Sequence, residues 1–123
     1  MKAERTAAAS GPLVQGFAGR GFRVGGTTYE AVLLSPEAAQ PWAPPALADL
    51  GEADFAPLLA FRPAPEFILL GTGPMLQRPP AALVAALEAH GIGIEAMDSR
   101  AAARTWGLLR GEGRWIAAAL LPL

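Results

Sequence analysis

Apolar residues alternate with polar ones near the front of the chain, then gather into continuous runs and helical stripes further on. Phe22 and Val24 flank Arg23, Gly25-Gly26 follows, and Thr27 to Leu34 is rich in β-forming residues. A Gly-Gly pair between two such runs supplies the positive φ angles of a tight turn. The pattern therefore predicts an antiparallel hairpin of Arg20–Val24 with Thr27–Leu34. Leu13–Phe17 is expected to add an edge strand. Between Ser35 and Leu50, the prolines at 36, 41, 44 and 45 argue against helix or central strand. A loop is expected there, packed down by Trp42. Phe55, Leu58 and Leu59 then fall at helical spacing, predicting a short helix within Glu52–Phe61, delayed by Pro57 and closed by Pro63 and Pro65.

The second half is more regular. Phe67–Leu70 is a short apolar run, as expected of a strand buried on both faces, and Gly71-Thr72-Gly73-Pro74 breaks it. Pro80 suits a helix start, and Leu83, Val84 and Leu87 mark one face of Ala81–His90. Gly91 suits a left-handed stop. Ile92 and Ile94–Met97 form the next strand, which completes a βαβ unit. Asp98 or Ser99 caps a third helix from Arg100 to about Arg110, ended by Gly111 and Gly113. Arg114–Leu121 is apolar almost throughout and belongs inside the sheet. The fold class is α/β.

Composition narrows the function classes. The chain has 123 residues, 52% of them apolar, which supports one core. Residues 1–12 read as a flexible N-terminal tail and residues 13–123 as a single domain. Ten basic residues balance eleven acidic ones, so there is no electrostatic reason to expect nucleic acid. Lys2 is the sole lysine and no apolar run is long enough to span a bilayer, so no membrane insertion is expected. The absence of cysteine removes disulfides, thiolate metal sites and cysteine nucleophiles. With one histidine besides, no transition-metal site is expected. A cytoplasmic location is expected.

Candidate chemistry gathers where the parallel strands end, since ligands of open α/β sheets sit beyond those carboxyl ends. Gly71, Thr72 and Gly73 follow one such strand, and Asp98 follows the other. Arg100 and Arg104 share a helix face, with Thr105 beside them. Glycines that admit a ligand to the backbone, a helix N-terminus and an arginine fork would together suit an anion or another polar ligand. The plain alternative is a sharp turn and an ordinary cap. Glu112 and Arg114 flank Gly113, either as a solvated turn or as part of the candidate binding cleft, with Glu112 paired to Arg104 or Arg110 and fixing the rim. His90 is placed by the helix dipole rather than by catalysis. Asp98, Ser99 and His90 do not make a relay, because Ser99 lacks a nucleophile-elbow sequence. Glu88, Glu95 and Glu112 are scattered, so no carboxylate pair for acid–base work is evident.

Several stretches in this order resemble one family. They are Phe67-Ile-Leu-Leu-Gly71-Thr-Gly73, Gly91-Ile-Gly-Ile-Glu95-Ala-Met-Asp98, Ala101-Ala-Ala-Arg104-Thr105 and Glu112-Gly-Arg114, preceded by the glycine hairpin, Tyr29, Ser35-Pro36 and Trp42. Together they are similar to the Mth-type domains of unknown function, over residues 13 to 123. That family includes a mitochondrial complex I assembly factor and the adipogenesis-associated Mth-domain protein. The resemblance implies a three-layer fold with a mixed central sheet and a β-hairpin extension. It implies no established reaction and no cofactor. Two departures stand out: Ala103 where the family has cysteine, and Trp106-Gly107 where it has Tyr-Asn. The leading expectation is a non-enzymatic binding or assembly-factor-like domain. It would use the rim of Gly71–Gly73, Asp98, Arg104 and Thr105, with Trp42's loop, to hold a protein partner. The alternative is a binder of, or enzyme acting on, a small anionic metabolite clamped by Arg104.

Overall fold

The computed structural model describes residues 10–123, so most of the expected tail, residues 1–9, lies outside the described residues. Eight strands occur among the described residues: β1 (Val14–Ala18), β2 (Gly21–Val24), β3 (Thr27–Tyr29), β4 (Val32–Leu34), β5 (Ala39–Pro41), β6 (Phe67–Gly71), β7 (Gly93–Met97) and β8 (Ala117–Leu120). The α-helices are α1 (Ala56–Leu59), entered through a 3-10 turn at Glu52–Phe55, then α2 (Ala81–Glu88) and α3 (Ser99–Gly111).

The main sheet is mixed, with strand order β5-β4-β8-β6-β7. Strand β6 runs parallel to both β7 and β8, while β4 runs antiparallel to β8 and β5. Strands β1, β2 and β3 form a separate antiparallel sheet. The β6-α2-β7 unit is the predicted βαβ motif. Pro80 stands immediately before α2, and Gly91 takes a φ of 78° just after it. Strand β8 lies in the interior of the sheet, as its apolar sequence required.

Alternation along the central strands builds two cores, one on each face. Leu33, Ile68, Leu70, Ala117 and Ala119 point to the face covered by Leu83 and Leu87 of α2 and by Phe55 and Leu58. Val32, Leu34, Leu69, Ala118 and Leu120 point the other way, against Ala102, Ala103 and Trp106 of α3 and Phe22 and Val24 of β2. The central sheet is thus sandwiched between helices α1 and α2 on one side and α3 with the hairpin sheet on the other. This is the expected three-layer arrangement with its β-hairpin extension.

Two expectations need correction. The predicted strand Thr27–Leu34 is two strands in different sheets, parted at Glu30-Ala31. β-Propensity runs through the break, but Tyr29 ends a half-exposed ribbon whereas Val32–Leu34 is buried on both faces. The Ser35–Leu50 segment is not all loop either. Ser35 Oγ accepts from the Glu37 and Ala38 amides, closing a turn that returns the chain along β4 as β5. Pro41 is tolerated there because β5 is an edge strand.

Candidate functional site

Because β6 and β8 are parallel, the chain leaves both at one rim, and Ser99 ties the two exits together. Its hydroxyl is fully buried, donates to the Leu121 carbonyl at 2.7 Å and accepts from the Gly73 amide at 2.8 Å. The Ser99 amide in turn donates to the Gly73 carbonyl at 2.8 Å. Asp98, rather than Ser99, is the cap of α3: its Oδ1 accepts from the Ala101 amide at 2.9 Å. The closeness of these segments explains Gly71, where an added Cβ would lie 2.9 Å from the Ser99 Cα. Thr72 is committed as well. Its Oγ1 donates to the Met75 carbonyl at 2.8 Å and accepts from the Gln77 amide at 3.1 Å, fixing the turn that follows.

A cleft of about 490 Å³ opens on this rim. One wall is Thr72, Gly73 and Pro74, and the other is the segment from Trp42 to Leu47; Leu121, Pro122, Ala31 and Glu30 complete it. The proline-rich wall is held firmly. Trp42 Nε1 donates to the Asp54 carbonyl at 2.9 Å, and its ring packs on Phe55 with centroids 5.6 Å apart. The lining is mostly apolar, and its charged residue is Glu30. Sequence reasoning missed Glu30 because it lies at the sheet crossing that was read as mid-strand.

The rim therefore brings Gly71, Thr72, Gly73 and Asp98 together, but not the rest of the predicted set. Arg104 lies on the exposed face of α3 and lines a separate, shallow groove with Val14–Phe17 and Ala103. Thr105 is half-buried beside it on the same helix. Thirteen helical residues span about 20 Å, so Glu112 and Arg114 sit at the opposite end from Asp98. Arg114 Nη2 donates to Glu66 Oε1 at 2.8 Å. That hydrogen bond lowers the Glu66 pKa below its ordinary value and raises that of Arg114. The expected pairing of Glu112 with Arg104 or Arg110 does not form among the described residues. Arg110 is buried instead, and donates to the carbonyls of Arg114 at 2.6 Å and Ser10 at 3.3 Å. Glu112 acts at longer range, its charge helping to raise the Arg114 pKa. His90, just past α2, meets Glu52 at 2.8 Å with both side chains about half exposed.

Residues 14–121 match the model of a family described as protein of unknown function (DUF498/DUF598). The chain belongs to this family. It is 34% identical over 111 residues to an uncharacterized protein of Rhodobacter capsulatus, covering 89% of this chain and 84% of that one. It is 29% identical over 116 residues to the NADH dehydrogenase [ubiquinone] 1 alpha subcomplex assembly factor 3 of Danio rerio, covering 94% of this chain and 67% of that protein. The fold is that of a solved Bordetella pertussis protein described as a Mth938-like domain. The TM-score is 0.77 at 33% identity, over 95% of this chain and 87% of that one. The expected Mth-type resemblance is thereby established. Relatives of this chain thus include assembly factors, although the family itself carries no assigned reaction. Among the described residues, no helix is long and apolar enough to cross a membrane.

Proposed function

We propose that this protein is a non-enzymatic binding domain that holds a protein partner in the cleft between the Trp42–Leu47 segment and the Thr72–Pro74 turn. The observation that carries this reading is the make-up of the cleft. It is concave, firmly built and lined mainly by proline, alanine, leucine and tryptophan, a surface suited to apolar segments of another chain. Its hydroxyl, on Thr72, is spent on the backbone, and its carboxylate, on Glu30, has no second titratable group in the lining to work with. A hydroxyl nucleophile needs such a partner as its base. The assembly-factor relatives supply an independent reason to look for a protein rather than a metabolite. The anionic-metabolite alternative loses support, because Arg104 lines a different groove and the charge bordering the cleft is negative.

The test is affinity capture from source cells with wild type and Ala46→Arg in parallel. Ala46 is exposed at the cleft wall, so the substitution fills the cleft without disturbing a core. A partner retained by wild type and lost with Ala46→Arg supports the reading. Turnover of a small substrate at enzyme-like rates, or a partner held equally by both forms, refutes it.

A further inference from the structure

A second surface lies across the molecule's hairpin side. The chain from Ser10 to Phe17 runs antiparallel beside α3, and contacts mark the path. Arg110 meets the Ser10 carbonyl, and Trp106 Nε1 donates to the Pro12 carbonyl at 2.9 Å. Ala103 and Arg104 border the groove opposite Val14–Phe17, and the Arg100 guanidinium stands 5.4 Å from the Phe17 ring centroid. Arg100, Arg104 and Leu108 recur every fourth residue, and all three are exposed. Phe17 and Leu13 are more than a third exposed, and Leu108 is 65% exposed. The surface is thus a groove with apolar flanks and two guanidinium groups along one wall.

Charge settles what such a groove would hold. The chain as a whole is nearly balanced, yet neither Ser10–Val24 nor Ser99–Gly111 contains an aspartate or glutamate. The same two segments carry five of the ten basic residues. Among the described residues the ion pairs are His90 with Glu52 and Arg114 with Glu66, so Arg100 and Arg104 meet no carboxylate there. We propose that this groove docks an extended acidic segment of a partner protein, with carboxylates on Arg100 and Arg104 and apolar side chains against Phe17, Leu13 and Leu108.

Spacing favours an extended segment. One helical turn separates the two arginines by about 6 Å along α3. Same-face residues of an extended chain recur at about 6.6 Å, so alternate acidic residues match both cations. A second copy of this chain would oppose arginine to arginine. Nucleic acid is disfavoured by the net charge of −1.

The experiment is fluorescence anisotropy on the full chain, with labelled ten-residue peptides that alternate glutamate, glutamine or lysine with leucine. The wild type is expected to bind the glutamate peptide about tenfold more tightly than the glutamine peptide, with the difference shrinking as salt is raised. The Arg100→Glu/Arg104→Glu double variant is expected to lose that preference and to favour the lysine peptide. Both positions are exposed, and circular dichroism would verify the fold; Arg104→Gln, with the milder loss expected of it, is the second variant. Equal affinity of wild type for the glutamate and glutamine peptides overturns the proposal. An unchanged preference in the double variant does so too, as does tighter binding of a ten-nucleotide single-stranded RNA than of the glutamate peptide. Ala46→Arg is expected to leave peptide binding unchanged, which separates this surface from the cleft.

Discussion

Ser99→Ala isolates the junction on which the cleft is built. The substitution removes one oxygen from a site with no solvent exposure, and two backbone groups lose their partners. The Gly73 amide is buried and its described hydrogen bond is to that oxygen. A buried group left unsatisfied costs about 1–3 kcal/mol. The Leu121 carbonyl loses its hydroxyl donor as well, so the total loss is about 2–4 kcal/mol. An unfolding entropy of about 2.1 cal/mol/K per residue converts this to a fall in Tm of roughly 8–15 °C. Urea denaturation of both forms, with thermal melts alongside, measures the difference. Hydrogen exchange at the Gly73 amide should accelerate, since the bond that protects it is gone. A loss below about 1 kcal/mol with an unchanged urea slope would refute the reasoning, because it would mean that both backbone groups find other partners at no cost.

Gly71, beside this junction, and Glu66, at the far end of α3, give two further expectations. Gly71→Ala places a Cβ 2.9 Å from the Ser99 Cα and 3.0 Å from a Leu120 methyl. Backbone must shift to admit it, so chemical denaturation should show a loss of about 1–3 kcal/mol or more. Glu66→Gln addresses pH dependence. The hydrogen bond from Arg114 lowers the folded-state pKa of Glu66 below its ordinary 4.5. Its contribution to stability is therefore present above that value and lost as the pH falls through the depressed one. The wild type should lose stability relative to Glu66→Gln over that acid range, and added salt should shrink the difference, because the pair is exposed. Parallel stability–pH curves for the two forms would contradict it.

Much of the architecture was legible because local signals and burial agreed. Pro80 and Gly91 bracket α2, Asp98 opens α3, and the largely apolar stretch Arg114–Leu121 predicted an interior strand, which forms over Ala117–Leu120. The break at Glu30-Ala31 was not legible, since nothing in β-propensity tells which sheet a strand joins. The rim was read correctly as to which turns meet there, because parallel neighbours must end together. Its chemistry was misread for a geometric reason: closeness to α3 in the sequence does not say at which end of it a residue lies. Asp98 and Arg114 both looked like rim residues, yet three helical turns separate them. Ser99 was equally opaque, because a serine beside a cap looks like a second cap until the strands packed against it are seen.

The place of β8 has a consequence for how the protein reaches its fold. This strand is the last of the eight, yet it lies between β4 and β6, and Val32 pairs with Leu120, 88 residues further along the chain. Until β8 inserts, β4 and β6 each present an open apolar edge, the kind of surface that invites pairing with other chains. Contacts between such distant segments also slow folding. The interval before insertion is therefore the period of greatest aggregation risk. Substitutions that weaken β8 should reduce the yield of folded protein during synthesis more than their effect on the finished fold would suggest.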